Sequence, residues 1–211
     1  MENRFAIAKK TLCCVFLLSV FLFISCKQKT FNTEDELLEY LKVEENGYLQ
    51  HKAVNGYNFK LLYKPIDLIV NQELKDNVTS LKIHSLRNKY NEFMYLNLSI
   101  SKNNQELLSS VPKNENEFGA LVNQLSFEMG EKIHLYTQTK DTLDMVDFIY
   151  PRLYGMSKAT NIMFVFPRSK MDKKNEYLNF TISDLGFNTG EIKFKIPIDI
   201  INNEPQLTFK N

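Results

Sequence analysis

Three observations predict an α+β fold on antiparallel sheet, with room for a sandwich-like arrangement and with three or four short helices mostly in the N-terminal half. Helical periodicity falls before Gly130, while short apolar runs punctuated by turn residues follow it. Asn55-Gly56 stands between two strand-like runs, and Asn-Gly is the strongest short hairpin signal because both turn residues need positive φ. Strand runs broken by turns, after a helix-containing first half, favour antiparallel sheet over the alternating pattern of a parallel one.

The elements follow in order. Thr33 caps a helix whose first turn holds Glu34, Asp35 and Glu36, with Glu36 at the reciprocal capping-box position and the acids favourable to the helix dipole. Leu37, Leu38 and Leu41 line its inner face, and Asn46-Gly47 stops it. Leu49 to Val54 and Tyr57 to Tyr63 form the hairpin, with Tyr57, Phe59, Leu61 and Tyr63 on the buried face and Pro65 as the end. The spacing of Ile66, Ile69, Val70 and Leu74 predicts a short helix. Another runs from Leu81 to Lys89, capped by Thr79 or Ser80. Phe93 to Ser101 alternates as a strand, with Met94, Leu96, Leu98 and Ile100 as its apolar set. Asn116 to Phe127 is a helix with Phe118, Leu121, Val122 and Leu125 inward. Strands then cover Ile133–Gln138, Met145–Tyr150, Asn161–Phe166, Tyr177–Ile182, Glu191–Ile196 and Gln206–Phe209, separated by Gly155, Pro167, Gly186, Gly190 and Asn202-Asn203.

Composition bounds the function. The chain has 211 residues, 44% hydrophobic and 24% charged, with a formal net charge of +1. Such proportions belong to a folded globular protein. A near-neutral chain lacks the basic surplus with which nucleic-acid binders displace counterions from phosphates, so no nucleic acid is expected. Seven Gly and six Pro leave no low-complexity linker. Residues 33–211 read as one globular domain, long enough for one sizeable core.

The first 26 residues differ from the rest. Arg4, Lys9 and Lys10 give a positive start, and residues 11–25 carry no charge. At ~1.5 Å per residue that run reaches about 22 Å as a helix, short of a hydrocarbon core of about 30 Å. A transmembrane anchor would need a longer run; a charged start, a short apolar stretch and a small residue before the break describe a secretory signal. Phe23-Ile24-Ser25-Cys26 resembles the lipobox of bacterial lipoproteins, with Phe23 where Leu is usual. The resemblance implies cleavage after Ser25, a diacylglyceryl group on the Cys26 sulfur, and a third fatty-acyl chain, palmitate-like, on the new amino terminus. It makes the lipid bilayer a partner through acylated Cys26 and the cell envelope the location. Lys27 rather than Asp after the cysteine leans, by resemblance, toward the outer membrane. The Asn- and Lys-rich body behind a Phe-rich signal also resembles the short lipoproteins of Bacteroidota.

Cys13, Cys14 and Cys26 are the only cysteines, so residues 27–211 hold no thiol, which suits an oxidising envelope. Removing Arg4, Lys9, Lys10 and Glu2 from 26 basic and 25 acidic residues leaves 23 and 24, without the basic field that draws a protein onto anionic lipid. Residues 26–32 read as a polar tether, the six after the cysteine reaching ~20 Å when extended. A partner far across the periplasm would have to come to the membrane.

Motifs for chemistry are sparse. His51, His84 and His134 have no second His or Cys at metal-ligand spacing, so no metal is expected. No nucleophile elbow, Ser-x-x-Lys element, P-loop or dinucleotide fingerprint occurs, and no cofactor is called for. Asp141, Asp144 and Asp147 recur every third residue, and the following Phe148-Ile149-Tyr150 favours solvated acids on a strand over a calcium or acid–base site. Asp141-Thr142-Leu143 resembles a short O-glycosylation motif of Bacteroidota envelope proteins. Tyr150, Arg152 and Tyr154 share a face if the chain stays extended. Tyr and Arg are favoured at protein interfaces, so these three are the candidate interface, the alternative being an edge strand whose tyrosines pack the rim. The expected function is non-enzymatic: a membrane-anchored lipoprotein that binds an envelope protein or supports an assembly. The 16 Phe and 10 Tyr keep a binder of a small molecule or glycan as the alternative, with a carboxylate-based hydrolase behind it.

Overall fold

The structure is a computed structural model that describes residues 28–74, 79–153, 155–171 and 174–209. The signal segment, Cys26 and Tyr154 lie outside these residues.

The α+β expectation holds, and the sheets form a sandwich. One sheet has five strands in the order β2-β3-β4-β8-β7: β2 Leu49–Val54, β3 Tyr57–Lys64, β4 Phe93–Lys102, β8 Thr160–Pro167 and β7 Asp147–Ile149. The other has four, β10-β9-β5-β6: β10 Ile192–Pro197, β9 Tyr177–Ile182, β5 Ile133–Tyr136 and β6 Thr142–Leu143. All these pairings are antiparallel. Period-2 alternation decides which face goes inside. Phe59, Leu61 and Tyr63 of β3, the apolar set of β4, and Ile162, Phe164 and Phe166 of β8 meet Leu178, Phe180 and Phe194 of the second sheet. Phe164 and Phe166 each approach Phe180, with centroids 5.9 Å and 6.5 Å away. Burying each such ring is worth about 1.5–3 kcal/mol.

The hairpin forms as its turn residues demand: Asn55 and Gly56 have φ of 50° and 78°. Helix α1, Glu34–Lys42, begins where Thr33 Oγ1 accepts from Glu36 N at 3.2 Å. It ends at Lys42, earlier than Asn46-Gly47, because Val43 turns extended and a single 3₁₀ turn, Glu44–Asn46, follows. Helices α2, Ile66–Leu74, and α3, Ser80–Tyr90, bracket a small second cluster of Val70, Leu74, Ile83 and Leu86. A short α4, Leu107–Ser110, precedes α5, Glu115–Asn123, which runs on through a π turn, Gln124–Glu128, into α6, Met129–Lys132.

Helices are more widely scattered than the sequence pattern indicates. After β10, Ile198–Asn202 forms α7, although apolar periodicity pointed to strands alone beyond Gly130. Pro197, extended at φ −61° and ψ 132°, ends β10 and stands at the helix N-cap, and Ile198, Ile200 and Ile201 are all buried; a β-branched run hid a helix. Phe118 is a second correction. Leu121 and Leu125 point inward as expected, but Phe118 is 43% exposed because the whole stretch 113–120 projects past the core into solvent.

The third correction concerns the N-terminal boundary. Residues 28–32 are docked onto the body and are not a free tether. Thr30–Phe31 is strand β1, paired in parallel with β11, Gln206–Leu207. Gln28 donates to the Glu204 carbonyl at 2.7 Å, the Phe31 ring lies 5.1 Å from that of Tyr40, and the Lys29 ammonium sits over the Tyr40 ring at 4.3 Å. Phe31 supplies the apolar hold that a purely polar linker would lack. Residues 28–31 thus pack with the body instead of standing apart from it.

Candidate functional site

Strand β7 stops at Ile149, and Pro151 has no N–H to extend the ladder. Tyr150 is half-buried and packs against the main core. Arg152 is exposed and turns toward the helix, where its guanidinium donates to Ser126 Oγ at 2.8 Å. Tyr150 thus meets the core and Arg152 the helix surface.

What Arg152 reaches is the π turn. Ser126 donates back to the Val122 carbonyl at 2.6 Å, as hydroxyls do where a helix widens. The wider turn keeps Leu125 and Met129 buried and leaves Phe127, between them, 72% exposed. π turns recur at functional sites because inserting a residue costs helix stability. Beside it, α6 and β7 enclose a cleft of about 440 Å³ that includes Gly130, His134, Val146 and Phe148. Beyond Arg152, Gly155 takes a φ of 83° and its N–H is accepted by the buried Glu106 carboxylate, which holds the loop carrying Met156, itself 83% exposed.

A pattern emerges. Among the described residues seven large apolar side chains are exposed, and five of them, Phe118, Phe127, Val146, Ile149 and Met156, fall between residues 118 and 156. Single exposed apolar residues are ordinary; Phe127 and Met156 are the most exposed of the five. Helical spacing hid Phe127, since a π turn breaks the 3.6 period on which such a reading depends.

The acidic trio does not form a site. Asp141 accepts from Thr139 at 2.6 Å, and Asp144 pairs with Lys170 at 2.5 Å. The hydrogen bond and charge of Lys170 hold the Asp144 carboxyl below its ordinary range, the opposite of a general acid's need. Asp147 accepts from Phe148 N–H. Among the described residues no group of three His, Cys, Asp or Glu side chains gathers to hold a metal ion. No helix among them is long and apolar enough to cross a membrane.

Two buried charge networks escape sequence reasoning altogether. Glu204, 6% exposed, accepts from the Tyr63 hydroxyl, the Arg168 guanidinium and, at 2.8 Å, Ile66 N. Arg168 also donates to the Phe93 carbonyl at 2.8 Å. Asp67, 1% exposed, takes Arg87 in a two-pronged pair at 2.8 and 2.6 Å and Leu207 N at 2.7 Å. Burial pushes the Tyr63 phenol well above its ordinary value, with the nearby Arg168 charge opposing. Each carboxylate is saturated by internal donors, so both networks tie the C-terminal segment to the body and neither offers a free group for catalysis.

No protein-family model matches the chain, and no curated protein matches it. Among solved structures, the chain is similar to a protein of unknown function from Burkholderia pseudomallei, at 12% identity over 80% of this chain and 94% of that one, with a TM-score of 0.34. A likeness that low carries no argument about function.

Proposed function

We propose that this protein is a lipid-anchored envelope lipoprotein, held by acylated Cys26 at the membrane, with the outer membrane favoured by Lys27, and that it works by binding an envelope protein. The observation that carries the binding role is the exposure of Phe118, Phe127, Val146, Ile149 and Met156 along the stretch from α5 past β7, with Phe127 inside the π turn. Arg152 sits at its border, tied to Ser126, as a polar rim group would be.

The alternative readings fare less well. A glycan or small apolar ligand is usually held between several rings. The clefts of 440, 580, 520 and 410 Å³ each present a single phenyl ring: Phe148, Phe93, Phe187 and Phe209 in turn. A carboxylate hydrolase needs an acid kept protonated, and the acids of the first cleft include Asp144, which is pulled the other way.

Three measurements test the proposal. Mass spectrometry of the mature N-terminal peptide is expected to show triacylated Cys26, and Cys26→Ser is expected to release the protein from the membrane fraction. Purification of the lipidated protein in mild detergent is expected to bring one envelope protein with it in fixed ratio, and Phe127→Ser with Ile149→Thr is expected to abolish that. Repeated recovery of the protein alone would refute the binding role.

A further inference from the structure

The docked N-terminus decides which face of the body meets lipid. Gln28 is fixed to the Glu204 carbonyl at 2.7 Å, and Gln206 N donates to the Lys29 carbonyl at 2.9 Å. Cys26 is two residues before Gln28. Two extended residues reach no more than about 7 Å, so the acylated sulfur has little freedom to lie elsewhere. Because β1 runs parallel to β11, the chain entering β1 lies beside the chain entering β11, which is Asn203-Glu204 at the end of α7.

That end of α7 belongs to one pole of the sandwich. Here β3 ends at Lys64, β4 begins at Phe93, β8 ends at Pro167, β9 begins at Tyr177 and β10 ends at Pro197. Tyr48 bonds Asn203, and Arg168 reaches Ile201, across the two sheets. Asn91, Ser169, Met171 and Asn202 border a shallow depression of about 580 Å³ on this pole. The Asn55-Gly56 hairpin tip lies at the other pole, where Tyr57 stacks on Phe187 with centroids 4.6 Å apart. From Lys64 to Tyr57 is seven strand steps, which at ~3.3 Å each separates the poles by about 23 Å.

We propose that the pole carrying residues 91–93, 167–171 and 201–203 lies against the headgroup layer of the bilayer that holds Cys26, and that the hairpin tip points away from it. The proposal rests on the acylation of Cys26. The short connection sets this orientation, and the exposed amides of Asn91 and Asn202 suit a polar headgroup layer. One consequence concerns the apolar region: α5 shares a cleft with Leu185, Gly186 and Phe187, at the far pole, so that part of the candidate binding surface faces away from lipid.

The absence of cysteine after residue 26 makes a clean test. In mature lipidated protein, Ser169→Cys places a single thiol at the near pole and Ala53→Cys one beside the hairpin tip. Each is labelled with bimane and reconstituted into phosphatidylethanolamine–phosphatidylglycerol vesicles containing headgroup-spin-labelled lipid. The Ser169 probe is expected to be quenched several-fold more than the Ala53 probe. Equal quenching, or the reverse, with Cys26 acylated by mass overturns the orientation and leaves the anchor standing. An unmodified Cys26 overturns both. Should Ser169→Cys fail to fold, Asn202→Cys probes the same pole and is held to the same outcomes.

Discussion

Around Glu204 the protein buries charge and leaves little apolar surface in water; around Phe127 it does the reverse. The first region has a folding reason for its chemistry. Strands β1 and β11 are two residues each, too short to hold by ladder hydrogen bonds alone, and the Glu204 and Asp67 networks pin β11 to the start of α2 and to β8. Among the described residues no buried side-chain nitrogen or oxygen lacks a partner, so these charges are fully satisfied. The second region has no such reason. Five large apolar side chains stand in solvent without adding to the core. Substitutions should therefore act on stability in the first region and on association in the second.

The largest effect is expected at Arg168. Arg168→Ala leaves Glu204 buried with its main charge partner gone, and removing one member of a buried pair costs about 3–5 kcal/mol. The measurement is the urea midpoint. Replacing both, as Arg168→Met with Glu204→Leu, is expected to recover much of the loss, since a well-packed apolar pair avoids the stranded charge. A loss for Arg168→Ala within ~0.5 kcal/mol, as for an ordinary surface residue, would remove the structural role assigned to this network.

The same region is expected to weaken in alkali. Burial raises the phenol of Tyr63, and that of Tyr95 is pushed up to about 12 by burial, with Arg168 opposing. A phenol raised in the folded state holds its proton longer than in the unfolded chain, whose ordinary value is 10.0. The stability it contributes is complete below that value and is lost as pH rises through the raised one. Urea midpoints should hold steady up to about pH 9 and fall between pH 10 and 12. Tyr63→Phe is expected to flatten part of that fall; a midpoint unchanged at pH 11 would contradict the burial of these groups.

Much of the fold was legible because its signals are local. Thr33 and Glu36 form a cap four residues long, Asn55-Gly56 dictates its own turn, and alternation along β3 and β4 names the buried face directly. Even there the detail differs: the Glu36 carboxylate accepts from Asn32 N at 3.0 Å, one residue before the reciprocal position. The networks were illegible because Glu204 and Tyr63 lie 141 residues apart, and each alone reads as an ordinary loop acid or strand tyrosine. Tyr150 and Arg152 could be picked out by type, but their directions depend on where β7 stops and on a π turn elsewhere in the chain. Thr33→Ala, which tests the most local of these signals, is expected to cost about 1 kcal/mol by thermal or urea unfolding.

The smallest effect on stability is expected where the effect on binding is greatest. Phe127 makes few internal contacts that its removal could break, so Phe127→Ser should leave the urea midpoint within ~0.5 kcal/mol of the parent. Serine has slightly poorer helix propensity than the residues that favour helices, but within a π turn already off the regular period that difference is minor. The comparison between the two regions is sharpest in this variant. If it unfolded the protein, Phe127 would be a misplaced core residue, and the contrast with Glu204 would disappear. If it left both stability and partner retention untouched while Ile149→Thr abolished retention, the binding surface would centre on the β7 edge and not on the π turn.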